Sequence, residues 1–544
     1  MSGLLHGWTG ILMGYAAVQG PMLAGLARAR ANFGQYLFSP MVAAPLTAVA
    51  AVAAAALSFH GSVQVVAATG ISAVLGYTGG KVIARGGPPN RLHQRGSLVA
   101  EQPPPAKAQS RRPSDSAGIT LAGLEVPALD ETKHFKLIGT TGTGKSTAIR
   151  EIMDSALTRG DRAVIADPDG GYLRRFYRQD RGDIILNPFD ERSVKWNPFA
   201  EIRKTHDVEQ LARSLIPDHD GQDRSWRGYA RTFLTAVTRQ AREGGVSDVG
   251  ELYRLLVVAD AGELRGLLHG TPAQPFLDEH NSRMFDSIRS VTSSAVGSLE
   301  YVAQQNGASF SVRNWVSDEQ PGVLFIPYKA GEIAALRSSI SAWMRIAIFE
   351  AMNRGEGDQR LWFIVDELDA LGEIDGLKDA LARLRKFGGR CVLGFQSISQ
   401  VSSTYGNGIA DTIVENCGNS LILRCSASEQ GGTSQFASRL IGQREVVHLS
   451  QSKTWQPGKW MASKTTSEQR SIEPAIMASE IERLADLEGI LKFASIPDWQ
   501  YVSLTPVKYP TVDRPRRAGS LAPRAGGQTH GNRAASCGNA EESR

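Results

Sequence analysis

The sequence predicts an α/β protein in which a mostly parallel sheet is interrupted by an all-helical segment and preceded by membrane-spanning helices. Three observations predict it. Short apolar runs alternate with amphipathic stretches over residues 119–508. One long interval, residues 205–301, has few such runs and reads as helix. Residues 1–85 hold two uncharged stretches of near-bilayer length.

The amino-terminal part comes first. Residues 40–58 and 62–80 contain no charged side chain and are dominated by small and aliphatic residues. Each matches the roughly 20 residues that a helix needs to cross a hydrocarbon core. The rival reading is a buried hairpin of a soluble protein. Arg28 and Arg30 precede the pair, and Lys81 and Arg85 follow it. The positive-inside rule therefore puts both flanks in the cytoplasm. Residues 9–27 are also uncharged but glycine-rich and broken by Pro21. They form either a third span, with the N-terminus outside, or a helix in the interface. No basic n-region precedes them and more membrane sequence follows, which argues against a cleaved signal peptide.

Composition bounds the rest. The chain has 544 residues, 42% hydrophobic and 21% charged, enough for more than one core. A net charge of +5 permits a nucleic-acid or anionic-lipid partner without demanding one. Cys391, Cys417, Cys425 and Cys537 form no CxxC pair, which argues against a zinc site and suits packed or free thiols in a reducing cytosol. Residues 86–118, with Pro103-Pro104-Pro105, read as a flexible linker. Residues 509–544, with Arg514, Arg516 and Arg517, read as a disordered basic tail.

Strands are expected at 134–138, 163–166, 183–186, 323–327, 361–365, 391–395 and 420–423. Several are apolar throughout, as strands buried on both faces are. The helical segment 205–301 carries Trp226, Tyr229, Phe233 and Leu234 near helical spacing. It divides the sheet-bearing domain into residues 119–204 and 302–508.

Chemistry concentrates in three places. Gly139-Thr140-Thr141-Gly142-Thr143-Gly144-Lys145-Ser146, followed by Thr147, matches the phosphate-binding loop pattern G-x-x-x-x-G-K-[ST]. An apolar strand leads into it and a helical pattern leaves it. Backbone amides and the helix N-terminus suit phosphates. Lys145 suits the β- and γ-phosphates and Ser146 a Mg2+ ion, so ATP and Mg2+ are the expected cofactors. In Leu361-Trp-Phe-Ile-Val365-Asp366-Glu367, Asp366 suits the ion through water and Glu367 suits the attacking water as general base. Gln396, ending the next strand, suits a γ-phosphate sensor, or else is a loop glutamine without a catalytic task. Arg383, Arg385, Lys386 and Arg390 form either a solvated basic face or the source of an arginine finger.

These residues, with Val164-Ile-Ala-Asp167-Pro168-Asp-Gly170, Ile185-Leu-Asn187-Pro188-Phe-Asp190 and Trp196-Asn197-Pro198-Phe199, resemble the conjugative coupling proteins of type IV secretion. The resemblance covers about residues 130–505, plus the membrane pair by position. It implies a RecA-like P-loop NTPase domain with an inserted all-α domain, anchored in the bacterial inner membrane with the ATPase domain in the cytoplasm. It implies a homo-hexamer that passes a relaxase–DNA complex to a secretion channel. It favours Arg385 as a trans-acting arginine and Gln396 as a sensor, with Arg424 a weaker candidate. The short link between the spans departs from family members that carry a larger periplasmic piece, which puts periplasmic contacts in doubt.

No zinc finger or dense basic stripe stands out, so DNA contact is expected through its backbone. Arg224, Trp226, Arg227, Tyr229 and Arg231 suit such a contact, but more often such a cluster is an amphipathic helix with a packed aromatic face. Two rival functions stay open. One is a related RecA-like DNA export or segregation motor. The other is a membrane scaffold whose assembly nucleotide controls.

Overall fold

The computed structural model describes residues 2–28, 31, 33–56, 62–85, 91–100, 118–218, 223–318, 320–355, 360–428, 432–454 and 463–512. The chain divides into two compact units, Met1–Gly96 with Arg444–Glu473, and Ser97–Gln443 with Pro474–Arg544.

The first unit holds three helices, α1 (Ser2–Arg28), α2 (Phe33–Ala56) and α3 (Ser62–Arg85). Within the last two, Gln35–Ala53 and Val66–Ile83 are long and apolar enough to cross a membrane. The helices pack through small residues. A Cβ on Gly76 would overlap the Val18 carbonyl, and one on Gly80 the Met22 carbonyl. Both glycines lie on α3, four residues apart, the spacing that lets two apolar helices approach backbone to backbone. Val18 faces Gly76 and Met22 faces Gly80, so α1 and α3 run parallel. The unit also contains a three-stranded sheet of Arg91–Gly96, Gln443–Thr454 and Ser463–Pro474.

The second unit is built on a ten-stranded sheet. Its strands are β1 (Val99–Ala100), β2 (Phe135–Ile138), β3 (Arg162–Pro168), β4 (Ile184–Ile185), β5 (Val323–Tyr328), β6 (Leu361–Val365), β7 (Gly389–Phe395), β8 (Asn419–Leu423), β9 (Glu488–Lys492) and β10 (Trp499–Ser503). Their order is β1-β10-β9-β8-β2-β7-β6-β3-β5-β4. From β8 to β4 every neighbouring pair is parallel, while β9 and β10 are antiparallel additions. Alternate residues feed two cores. Val164, Ile326, Phe363 and Val365 join one, with Trp196, Phe233 and Trp343. Ile165, Phe325, Trp362 and Ile364 join the other, with Ile149, Ile152 and Met153 of α4 (Lys145–Thr158). That is why these strands read as apolar throughout. Lys136 is the exception within β2; its buried ammonium donates to the Val414 and Cys417 carbonyls at 3.0 and 2.6 Å.

Near the amino end of β3, Glu131 accepts two bonds from the Arg159 guanidinium, at 2.7 and 2.8 Å, and one from Arg390 at 2.9 Å. Asp161 accepts from Arg159 and from the Trp362 indole at 2.8 Å. Arg390 is thus committed to the interior.

Between Lys195–Trp196 and Ser309–Phe310, which pair in parallel, the described residues contain helices and no strand. Glu201 ties the two ends of this region together. It accepts from the Trp196 indole at 2.9 Å, the Ser311 hydroxyl at 3.0 Å, and the Val312 and Arg313 amides at 2.7 and 2.9 Å. The longest helix there, α5 (Arg224–Glu243), buries Ala230, Phe233, Leu234 and Val237. Trp226 and Tyr229 stand at its half-exposed start, and Tyr229 meets Phe276 edge-on, 5.7 Å between centroids. Arg227 and Arg231 reach the Pro217 and Ile216 carbonyls at 3.4 Å.

Three expectations need correction. Residues 91–96 and 99–100, expected in an irregular linker, are strands. Residues 444–454 and 463–473, expected within the sheet-bearing domain, are strands grouped with the first unit. Both follow from pairing between segments some 350 residues apart, as in Arg91 with His448, which no local pattern encodes. The basic tail begins later than residue 509, because the Tyr509 ring packs on Phe176 at 5.0 Å and the Val512 amide donates to the Arg174 carbonyl. The rest of the tail, Cys537 included, and residues 101–117 lie outside the described residues.

Candidate nucleotide site

The carboxyl ends of β2, β3, β6, β7 and β8 converge, and the chain's phosphate-binding loop leaves the first of them. Parallel strands present their functional residues at this edge in open α/β sheets. The loop is pinned on both sides. The Gly139 amide donates to the Phe395 carbonyl of β7 at 3.1 Å, and the Thr140 amide to the Arg424 carbonyl beyond β8 at 2.9 Å. Thr143 is buried, and its hydroxyl closes the turn on the Thr140 carbonyl at 2.8 Å. Thr141 and Gly142 are exposed at the loop's crest. Gly144 caps α4 at φ +123°, a conformation other residues avoid. The Thr147 amide donates to its carbonyl at 3.0 Å.

Lys145 folds back into this loop. Its ammonium donates to the Gly139 carbonyl at 2.5 Å and the Thr140 carbonyl at 3.1 Å. Burial lowers its pKa, and Asp366 and Glu367 oppose that shift. The ammonium is therefore held where a phosphate would fit, on carbonyls that a phosphate oxygen readily replaces.

The second motif meets the first as its spacing requires. The Ser146 hydroxyl donates to Asp366 Oδ2 at 2.8 Å. Glu367, one residue on, accepts from the Gln396 side-chain amide, whose oxygen accepts from the Thr141 hydroxyl at 3.3 Å. Gln396 therefore bridges Glu367 and the loop. Burial raises the Glu367 pKa, and the neighbouring carboxylates of Asp366 and Asp369 raise it further. The donor set fits Mg2+, which takes one or two carboxylate or hydroxyl oxygens and fills the rest with water and phosphate. No group of three His, Cys, Asp or Glu side chains able to hold a metal occurs among the described residues.

Arg385 is not part of this assembly. It is exposed and lies beside His134, Leu381 and Glu415, near the start of β2 and so at the opposite edge of the sheet from Lys145. Burial holds the His134 imidazole down at about 4, and Arg385 and Arg390 add to that. Arg424 is engaged within its own chain, by Asp486 at 2.5 Å and the Leu484 carbonyl at 3.4 Å.

Four contributors carry no sequence signal. The Tyr172 hydroxyl donates to Asp366 Oδ2 at 2.7 Å. Tyr328 is buried near the same carboxylates, which, after burial itself, raise its pKa. Asp369 is half-buried, and burial raises its carboxyl. The Leu487 amide, between the last helix and β9, donates to the Thr143 carbonyl at 2.9 Å and backs the loop.

The strand order, the loop after β2 and the Asp-Glu pair after β6 define a RecA-like P-loop nucleotide-binding domain with an all-α domain. Comparison with known proteins narrows the class. A family model described as the type IV secretion-system coupling protein DNA-binding domain matches residues 118–505. The chain is 28% identical over 436 residues to the coupling protein TraD of Escherichia coli K12, covering 79% of this chain and 60% of TraD. The crystal structure of the bacterial conjugative coupling protein TrwBdeltaN70 is 32% identical, with a TM-score of 0.70 over 79% of this chain and 97% of that one. The structure of TrwB with ADP and Mg2+ is 31% identical, with a TM-score of 0.68 over 79% of this chain and 98% of that one. The chain belongs to the type IV secretion-system coupling-protein family. It spans about 60% of the length of TraD.

Proposed function

We propose that the chain is a membrane-anchored ATPase that uses ATP and Mg2+ to move DNA, coupling a relaxase–DNA complex to a type IV secretion channel. The observation that carries this reading is the joining of two motifs 220 residues apart, Ser146 on Asp366 at 2.8 Å, with Glu367 held alongside by Gln396. A site meant only to bind nucleotide has no need of a positioned carboxylate for the attacking water. The structures of TrwB with ADP and Mg2+ and with a non-hydrolysable ATP analogue support the same cofactors here. Gly139, Thr140, Thr141, Gly142, Thr143, Gly144, Lys145, Ser146 and Thr147 hold the phosphates, and Ser146 and Asp366 the ion. Mg2+ neutralises charge on the phosphates. Glu367 orients and deprotonates water, and Gln396 senses the γ-phosphate.

Arg385 is assigned to a neighbouring subunit's nucleotide in a ring of six. Its exposure, and its place at the far edge of its own sheet, support action in trans. DNA is held through its backbone by the ring. The cytoplasmic domain comprises residues 119–204 and 302–508 around an all-α insert at 205–301, with the strands of 444–454 and 463–473 grouped with the first unit.

The anchor lies in a bacterial inner membrane. Two observations favour three spans over two. α1 packs parallel to α3 through Gly76 and Gly80, and Arg28 ends it as Lys81 and Arg85 end α3. Helices parallel to one another, with basic residues at the same end, cross in the same direction. Ser2→Cys should then react with a membrane-impermeant maleimide added outside intact cells whose outer membrane is opened. Labelling only after the inner membrane is breached would leave α1 at the cytoplasmic interface.

The direct test of function is ATP turnover by the full-length protein in detergent or nanodiscs, with and without single-stranded and duplex DNA. Turnover should rise with DNA and vanish in Lys145→Ala. Turnover indifferent to DNA in assembled rings would favour the nucleotide-controlled scaffold.

A further inference from the structure

We propose that Tyr172 is a positioning residue for the ion-facing carboxylate, and that the Asp167-Pro168-Asp169-Gly170 turn exists to hold it there. The proposal rests on the nucleotide-binding reading of the site. Asp366 receives two hydroxyl donors on one oxygen, Oδ2: Ser146 at 2.8 Å and Tyr172 at 2.7 Å. Tyr172 is 2% exposed, so its bond does not compete with bulk water. A carboxylate that serves a cation through water needs its orientation set, and a neutral donor sets it without adding positive charge beside the ion. A lysine or arginine at the same place would neutralise Asp366 and weaken the ion's attraction.

Tyr172 is itself secured from behind. Its backbone amide donates to both oxygens of Asp167, at 3.0 and 3.1 Å, and the Leu173 amide adds a bond at 2.7 Å. Asp167 is fully buried at the end of β3, and β3 lies beside β6, with Ala166 opposite Val365. The turn between Asp167 and Tyr172 passes through Asp169 at φ +58° and Gly170 at φ +63°, which brings the chain back over the sheet edge. Burying a carboxylate is costly unless hydrogen bonds compensate it, and the bonds that compensate Asp167 come from the two amides that fix the start of the following helix. The position secured is that of the hydroxyl on Asp366. The line of contacts thus runs from Asp167 to Tyr172, Asp366 and Ser146.

Tyr172→Phe removes one hydroxyl and keeps the ring. The test uses the full-length protein in detergent, with Mn2+ as a paramagnetic stand-in for Mg2+. Mn2+ affinity is read by electron paramagnetic resonance in the presence of ADP, and ADP affinity is read separately in EDTA. The variant should bind Mn2+ about 10–100-fold more weakly. Its ADP affinity in EDTA should match wild type. Asp167→Ala, with the hydroxyl present but its mooring gone, should show the same Mn2+ defect, and the double variant no more than either single one. Unchanged Mn2+ affinity in Tyr172→Phe overturns the proposal. So does an equal loss of ADP binding with and without the ion, which would make Tyr172 a packing residue. If the wild-type protein binds ADP with no response to divalent ions, the nucleotide-site reading fails, and this inference with it.

Discussion

Glu367→Gln should bind ATP as tightly as wild type and turn it over about 10²–10⁴-fold more slowly, the range that a positioned general base supplies. The glutamine keeps the shape and can still meet Gln396, so the loop and the ion site should be undisturbed. What is lost is the group able to take a proton. Burial, Asp366 and Asp369 raise the pKa of Glu367, which makes it a better base for water than an exposed carboxylate. Single-turnover hydrolysis and nucleotide affinity, measured on the same preparation, separate the two effects. DNA transfer should stop with hydrolysis. Transfer that persists in Glu367→Gln cells would sink the motor reading, whatever the ATPase assay shows.

Gly394→Ala should be the most damaging single-methyl change in the sheet. Gly394 lies in β7, where the chain leaving β6 crosses against it, and the Leu368 amide donates to the Gly394 carbonyl at 3.2 Å. A Cβ there would overlap the Asp366 carbonyl oxygen, and the Asp366 carbonyl carbon would lie 2.7 Å away. Both partners are backbone in a buried sheet, so neither can swing aside. Overpacking of this kind costs about 1–3 kcal/mol or more. The strain falls on the Asp366-Glu367 segment itself. A lowered melting temperature should therefore come with lost turnover in the fraction that still folds. A variant of wild-type stability and turnover would mean that β6 and β7 lie farther apart at this point.

Much of the core was legible because parallel strands buried on both faces are apolar without interruption. All seven expected strands are present, within a few residues of the expected limits. The loop residues and the Asp-Glu pair were legible for a different reason. Binding a phosphate with backbone amides requires glycines at set positions, so function writes itself into local sequence. Tyr172 left no such mark. Its hydroxyl meets Asp366 across 194 positions of sequence, and a tyrosine in the turn before a four-residue helix has no local pattern that marks a partner. The aromatic and basic start of α5 was ambiguous in sequence. In the structure, Phe233 is buried and pairs with Phe285 at 5.4 Å, while Trp226 and Tyr229 remain half-exposed.

By itself, then, the sequence determined what depends on near neighbours along the chain: membrane-length apolar helices, buried parallel strands, and a phosphate loop with its acidic partner motif. The tertiary structure decided what depends on pairing at a distance. It drew residues 91–96 into a sheet with strands more than 340 positions later, added the antiparallel strands that support the loop, and ran α1 parallel to α3. Backbone pairing and close glycine packing ask little of side-chain identity. They leave almost no trace in local sequence, and the sites that depend on them appear only when the chain is folded.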